Sequence, residues 1–277
     1  MRRFLFVVLV SAMAVTPAAA DYPWPKYSIL PILFSPTDWD VDSAEVGLEA
    51  ASIRSAMSEI RSFYGTALGI GKTFTLNDLQ VVQGLGNKEH YNIAWNGGNI
   101  YTDGIEFTGN MEAAVVEELH ARGYPTPPDQ NEDGYSVLIF VKGAGGYAGA
   151  RELGGGDGGW GILGDWCIDS LAGQVPEGDY WWSGRRLQLG AAAHELGHTF
   201  GLPHPDFYNG NWDETVMGNW WNFPKTGLSG LDKDHILAEK APFFTQAVPE
   251  PAPLASMGLG LSILASQLKR FRGKRPR

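Results

Sequence analysis

Two histidines and a glutamate in one short stretch have the residue types and the spacing of a metal site. His194 and His198 are four residues apart, and Glu195 follows the first of them. On a helix, residues four apart lie on one face, so both imidazoles can bind the same ion. Imidazole nitrogens bind zinc at ~2.0–2.1 Å. The spacing therefore predicts a zinc-binding helix with a glutamate beside the ion.

A third ligand is expected from the turn that follows this helix. Gly201 ends the helical pattern and permits a sharp turn, and His204 lies shortly beyond it. Three protein ligands leave the fourth zinc position open, which is typical of a catalytic rather than a structural site. Glu195 would then be the general base that takes a proton from a metal-activated water. The alternative is a helix with three surface histidines and no metal.

The stretch HELGHTFGLPH resembles the H-E-x-x-H-x-x-G-x-x-H signature of the metzincin zinc peptidases. The resemblance implies hydrolysis of peptide bonds and a methionine-containing turn beneath the metal, for which Met217 is the candidate. Asn219 stands where astacins and serralysins have a tyrosine ligand, so the subfamily stays open. Asp206 is expected either to orient a ligand histidine or to be a surface acid after the helix.

Hydrophobic periodicity along the chain predicts alternating strands and helices. Apolar runs bounded by turn residues indicate strands, and helical spacing with capping residues indicates helices. Segments rich in glycine, asparagine, proline or aspartate indicate loops at residues 84–110, 124–134 and 143–158. The predicted strands are residues 28–35, 73–83, 136–142 and 159–164, and the predicted helices are residues 43–64, 111–122, 185–200 and 229–239.

This order of elements predicts one compact α/β (α+β) domain over residues 21–247. Its order is similar to that of the metzincin fold. That resemblance implies a mixed, twisted sheet with an active-site helix and a long backing helix. It also implies a smaller C-terminal subdomain that contains the methionine turn and a terminal helix.

A calcium site is a weaker expectation. Asp129, Asn131 and Asp133 have the spacing of the first half of a calcium-binding loop. The twelfth position of that loop needs an acidic ligand, but the sequence has Phe140 there. The alternative is a polar turn without an ion.

Substrate contacts are expected near the metal motif, where tryptophans are frequent. These side chains could form substrate subsites or simply pack a region rich in loops. The segment 159–164 is predicted to be an edge strand that binds a peptide by β-augmentation, as the metzincin resemblance implies. The candidate substrate contacts are Trp160, Gly161, Ile162 and Trp220.

Composition limits the classes of function. The chain has 277 residues, of which 44% are hydrophobic, enough for a substantial core. A net charge of −10 disfavours binding to nucleic acid, so no nucleic-acid partner is expected. The single cysteine, Cys167, excludes an intrachain disulfide and is predicted to be a small buried residue.

Residues 1–20 are typical of a secretory signal peptide. Arg2 and Arg3 form a basic start, an apolar run follows, and the alanines 18–20 form a small-residue cleavage site. The alternative is an N-terminal membrane anchor. The signal-peptide interpretation predicts a protein exported from the cytoplasm.

Residues 248–277 resemble the PEP-CTERM sorting tail of exported bacterial proteins. Val248–Pro251 supplies the motif, residues 252–268 form a short apolar segment, and six of the last nine residues are Lys or Arg. The resemblance implies export across the inner membrane of a Gram-negative-type bacterium, transient anchoring there and an exosortase-type partner. The protein would then reach the cell surface, the extracellular matrix or the medium. The alternative is an ordinary weak C-terminal anchor.

Three hypotheses of function remain open from the sequence. The first is a secreted zinc-dependent endopeptidase in which Glu195 is the general base. The second is a non-catalytic, zinc-stabilised binding protein of the cell surface or extracellular matrix. The third is a peptidase restricted to glycoproteins, in which tryptophans hold the sugar.

Overall fold

The computed structural model describes residues 22–91, 93, 110–126, 134–152, 158–175, 178, 182–205 and 212–247. Strands and helices alternate through this part of the chain, as predicted. The strands are β1 Ser28–Ser35, β2 Lys72–Thr73, β3 Thr75–Leu76, β4 Gln80–Gln83, β5 Tyr135–Val141, β6 Ala148–Glu152, β7 Gly159–Leu163 and β8 Gln246–Ala247. The helices are α1 Ala44–Leu68, α2 Asn110–Ala121, α3 Asp165–Ala172, α4 Arg185–Thr199 and α5 Gly230–Glu239.

The main sheet is mixed, and its strand order is β3-β1-β5-β7-β6, with β4 also paired to β1. All of these pairings are parallel except that of β6, which runs antiparallel to β7. Helices lie on both faces, so the predicted α/β fold class is confirmed.

The unbroken apolar run of β1 is explained by burial of the strand on both faces. Ile29 and Leu33 point into the core that includes α1, α3 and α4, whereas Leu30, Ile32 and Phe34 point into the core that includes α2. Successive side chains of a strand alternate between faces, and both faces of this strand are covered. The chain therefore gains burial on both sides of the sheet.

Helix α1 begins where the sequence predicts and ends later than expected. The Ser43 hydroxyl accepts a hydrogen bond from the Val46 N–H at 3.2 Å and caps the helix. The predicted end at residue 64 is wrong, because the helix continues through the buried Gly65 to Leu68. Gly69, with φ 71°, supplies the left-handed conformation that ends it.

The predicted strand over residues 73–83 is divided into three short pieces, β2, β3 and β4. Asn77 follows β3 and remains bound to β1, because its backbone N–H donates to the Ile29 carbonyl at 2.9 Å and its Nδ2 donates to the same carbonyl at 3.1 Å and to the Ser28 hydroxyl at 2.7 Å.

The edge of the sheet is not where the sequence predicts it. Strand β7 was expected to be an edge strand, but it pairs with β5 on one side and β6 on the other. Strand β6 lies within the segment predicted to be a loop, and it is the terminal strand of the described sheet. Helix α3, directly after β7, was also missed.

Among the residues that the structure describes, no helix has both the length and the apolar character needed to cross a membrane. The predicted signal peptide and the predicted sorting tail lie outside the described residues.

A glycine-to-alanine pair tests how closely α4 is packed. A Cβ at Gly190 would lie 1.9 Å from the Trp220 carbonyl oxygen, whereas a Cβ at Gly47 in α1 would meet no atom within 4 Å. We expect Gly190→Ala to lower the free energy of unfolding by about 1–3 kcal/mol through overpacking. Gly47→Ala should raise it by roughly 0.5–1 kcal/mol, because alanine favours helix. Urea denaturation measures both changes. Equal stability of the two variants would contradict close packing of Gly190 against the Trp220 carbonyl.

Candidate metal centre

Helix α4 carries two of the three histidines and is enclosed by the fold. It packs against α1, α3, β6 and β7, and its short run Ala191–Ala193 is buried. Tyr64 of α1 is fully buried and donates a hydrogen bond from its hydroxyl to the Ala193 carbonyl at 2.8 Å. The small side chains let these neighbours approach the helix closely.

The three histidines converge on one point, as the sequence predicts. The Nε2 atoms of His194 and His198 are 3.0 Å apart, and each lies 3.1 Å from Nε2 of His204. In the part of the chain that the structure describes, this is the one group of His, Cys, Asp or Glu side chains gathered closely enough to hold an ion.

The turn after α4 delivers His204. The Gly201 N–H donates to the His198 carbonyl at 2.9 Å, and the Leu202 N–H donates to the Gly197 carbonyl at 3.1 Å. Gly201 has φ 77°, a left-handed conformation that glycine adopts without strain. The predicted role of Gly201 in ending the helix is confirmed.

Backbone carbonyls orient two of the imidazoles. Nδ1 of His194 lies 3.0 Å from the Val216 carbonyl oxygen, and Nδ1 of His198 lies 2.8 Å from that of Leu202. A carbonyl only accepts, so each Nδ1 carries the proton and each Nε2 presents a lone pair. Fixing the tautomer through the second nitrogen is the usual arrangement around metal-binding histidines.

These lone pairs fit a zinc ion. Two acceptor nitrogens at 3.0 Å cannot hydrogen-bond to each other, so their approach is favourable only when a cation lies between them. Nitrogens that bind one tetrahedral zinc ion lie roughly 3.3 Å apart. The observed spacings are close to that value, and the all-imidazole donor set suits zinc.

Burial keeps the imidazoles of His194 and His198 neutral. It lowers the pKa of His194 to about 3, and the neighbouring His198 and His204 contribute in the same direction, while the hydrogen bond to Val216 opposes them. Burial also lowers the pKa of His198. Neutral imidazole is the form that binds metal, so little proton release opposes binding at neutral pH.

Glu195 is 7% exposed and lies beside the ligands on α4. In the metal-free chain, burial raises the pKa of Glu195 to about 8. A cation bound nearby would oppose this shift, because it favours the charged carboxylate. Buried carboxyl groups with such raised pKa values are concentrated at functional sites.

Met217 packs against the glycine that lies between the two helical histidines. A Cβ at Gly197 would be 2.3 Å from the Met217 sulfur and 3.0 Å from the Tyr64 hydroxyl. Met217 is fully buried. Met217 therefore lies against the metal helix, and its role in a methionine turn stays a prediction.

The expected substrate contacts in β7 need correction. Trp160 and Ile162 are buried, with exposed fractions of 3% and 0%, and the backbone of β7 is paired on both sides. The prediction that this strand binds a peptide is therefore wrong. Gly161 lies next to the proposed base. A Cβ at Gly161 would be 3.4 Å from the Cβ of Glu195 and 3.3 Å from that of Ala150.

The remaining predicted site residues are Trp220, which the structure describes, and four acidic or amide residues, which it does not. Trp220 is half-buried and packs against the core, so its contact with substrate stays a prediction. Asp206 lies outside the described residues, as do Asp129, Asn131 and Asp133 of the proposed calcium loop. Cys167 is 2% exposed, which confirms the prediction of a small buried residue.

Sequence reasoning missed several residues that support the site. Tyr64, Thr215, Asp232 and His235 all hydrogen-bond to segments that carry the histidines or contact them. Nε2 of His235, for example, lies 3.0 Å from the Phe200 carbonyl oxygen. The residues of these pairs are far apart in sequence, so no local pattern indicates them.

Comparison with known proteins gives distant structural likenesses. No family model matches the sequence, and no curated protein matches it. The wild-type OgpA structure from Akkermansia muciniphila is 18% identical with a TM-score of 0.46, covering 82% of this chain and 65% of that one. Archaemetzincin from Methanopyrus kandleri is 13% identical with a TM-score of 0.38, covering 78% and 96%. Metalloproteinase-II from Bacteroides fragilis is 15% identical with a TM-score of 0.33, covering 80% and 54%.

The chain thus spans less than two thirds of the length of OgpA and of metalloproteinase-II. These likenesses are too distant to assign an activity. The functional assignment therefore depends on the residues of the chain itself.

The raised pKa of Glu195 predicts how stability changes with pH in the metal-free protein. Its pKa is about 8 when folded, against an ordinary value of 4.5, so its stabilising contribution is fully present below pH 4.5 and is lost as the pH rises through 8. Glu195→Gln cannot ionise. We expect the free energy of unfolding of the parent, minus that of this variant, to fall between pH 5 and pH 8.

Chemical denaturation of both proteins after removal of metal by a chelator measures this difference. A difference that stays constant over the range would show that the Glu195 carboxyl is not desolvated in the folded protein.

Proposed function

We propose that this protein is an exported zinc-dependent peptidase that cleaves peptide bonds within a chain, with His194, His198 and His204 as the zinc ligands. The observation that carries the proposal is the convergence of three Nε2 atoms at 3.0–3.1 Å next to a buried glutamate. Three imidazole ligands leave one zinc position open, as catalytic sites do.

Zinc, when bound, supplies a Lewis acid that activates water and stabilises the oxyanion that develops on the peptide carbonyl. Glu195 takes a proton from the water that attacks the carbonyl carbon. It then gives a proton to the nitrogen of the leaving amine as the C–N bond breaks. Burial of Glu195 strengthens it as a base, because a poorly solvated carboxylate holds a proton more tightly.

The free side of β6 is proposed to hold the substrate, in place of β7. In the described sheet β6 pairs only with β7, so its other backbone edge can accept an extended peptide as an added strand. Ala150 of β6 is the register partner of Gly161, which borders Glu195. A peptide paired at this edge would pass close to the proposed base.

Export and processing are proposed from the sequence of the two ends. Residues 1–20 have the pattern of a signal peptide, and residues 248–277 that of a sorting tail. The pairing of β8, Gln246–Ala247, with β2 supports including residues up to 247 in the domain. Residues 21–247 are therefore proposed to be the peptidase domain, and an exosortase-type enzyme the partner of the tail.

The substitution Glu195→Gln tests the peptidase. We expect it to lower the rate of peptide cleavage by roughly 10²–10⁴-fold, the usual contribution of a general acid–base group, while leaving zinc content unchanged. The measurement is turnover of a broad quenched-fluorescent peptide library by the purified, zinc-loaded protein. Glu89→Gln makes the same change at an exposed glutamate and should cleave as the parent does.

Two outcomes would contradict the proposal. Full activity of Glu195→Gln would exclude Glu195 as the base. Absence of cleavage by the zinc-loaded parent, both on the library and on matched peptides with and without an O-linked sugar, would favour the zinc-stabilised binding protein instead.

A further inference from the structure

Helix α5 contacts both of the segments that lie next to the histidine ligands. Asp232 binds Thr215, which begins the turn containing Met217, and His235 binds Phe200, which ends the metal helix. Residues three apart lie on the same side of a helix, so one face of α5 makes both contacts.

The first contact links Asp232, through Thr215, to the Val216 carbonyl that orients His194. The Thr215 hydroxyl donates to the Asp232 carboxylate at 2.7 Å and accepts from the Met217 N–H at 3.2 Å. The next residue is Val216, whose carbonyl oxygen lies 3.0 Å from Nδ1 of His194. Thr215 is fully buried and Asp232 is 7% exposed, so water cannot replace this bond readily.

Further bonds make this turn rigid. The Thr215 carbonyl accepts from the N–H groups of Gly218 at 3.0 Å and Asn219 at 2.8 Å, and the Val216 N–H donates to the Gly227 carbonyl at 2.9 Å. Movement of Thr215 would therefore move the Val216 carbonyl with it. The position of the His194 ring thus depends on the bond between Thr215 and Asp232.

The second contact holds the start of the turn that carries His204. The Phe200 carbonyl follows the last turn of α4 and has no acceptor role within the helix. It accepts from Nε2 of His235 at 3.0 Å, and the chain reverses at the next residue, Gly201. His235 therefore fixes the direction in which the chain leaves α4 toward His204.

We propose that Asp232 and His235 are positioning residues, through which α5 sets the separation of His194 and His204 and thereby the affinity for zinc. The proposal rests on the zinc site of the proposed function but does not require peptide hydrolysis. The physical reason is that the third ligand comes from a separate segment, so its alignment must be fixed by the surrounding structure. Loss of such outer contacts typically weakens metal binding by about 10–100-fold.

The first test removes the Thr215 hydroxyl. We expect Thr215→Val to raise the Kd for zinc by about 10–100-fold, and Thr215→Ser, which keeps the hydroxyl, to retain most of the affinity of the parent. The measurement is competition for zinc with a chromophoric chelator, using the full-length protein. The free energy of unfolding of each metal-free protein is measured in parallel.

Ser229→Ala is the matched control for a general weakening of α5. The Ser229 hydroxyl accepts from the Asp232 N–H and caps α5. Its removal leaves the Ser229 N–H and the Thr215 hydroxyl, which both donate to the Asp232 carboxylate, in place. Loss of the cap should cost about 1 kcal/mol of stability while the zinc Kd changes less than about threefold. Equal loss of zinc affinity in Ser229→Ala and Thr215→Val would overturn the proposal.

The second test does not depend on a buried position, because His235 is only half-buried. His235→Phe removes the donor to Phe200 and should raise the zinc Kd by about 10-fold or more, whereas His235→Gln keeps an N–H donor and should restore part of the affinity. If both variants bind zinc as the parent does, His235 has no positioning role.

The outcomes separate this proposal from the proposed function. If the parent binds zinc and the variants bind it equally well, only the positioning role fails. If the parent does not bind zinc at all, both proposals fail. Zinc binding that responds to Thr215→Val without any peptide cleavage would support the positioning role and contradict the peptidase.

Discussion

The site depends on one constraint, which is that two imidazole lone pairs are held 3.0 Å apart and face the same point. The Val216 and Leu202 carbonyls each accept the Nδ1 proton of one histidine, so neither ring can turn its proton toward the other. Such an arrangement is unfavourable without a cation, and the fold must hold it in place. The close packing around α4, and the two bonds from α5, follow from that requirement.

Small residues on α4 make this packing dense. Gly190 faces the Trp220 carbonyl, Gly197 faces Met217 and Tyr64, and neither position has room for a methyl group. Glycine within a helix costs roughly 0.5–1 kcal/mol relative to alanine. That cost is offset by the close contacts that glycine permits. These contacts set the distance between α4 and the turn containing Met217. Gly197 therefore separates the two helical ligands in the sequence and also provides the surface against which Met217 and Tyr64 pack.

Much of the fold and the core of the site could be predicted from the sequence, because those signals are local. The histidine spacing and the turn at Gly201 each depend on a few neighbouring residues, and both are found in the structure. Strand β6 could not be predicted, because its five residues are mostly small and its strand character comes from pairing with β7. The contacts of Asp232 and His235 span 17 and 35 residues, and no spacing rule relates such pairs.

The position of β6 changes the geometry expected for catalysis, since Ala150 of β6 and the proposed base Glu195 both border Gly161. Gly161 is the partner of Ala150 across the β6–β7 ladder, and its missing side chain leaves space that the Cβ of Glu195 approaches. A side chain larger than that of alanine at position 161 would crowd both Ala150 of β6 and Glu195 of α4. Because α4 packs against both β6 and β7, the separation between Glu195 and the free edge of β6 depends on both strands. The helix that would carry out the reaction is thus packed directly against the strand that would hold the substrate.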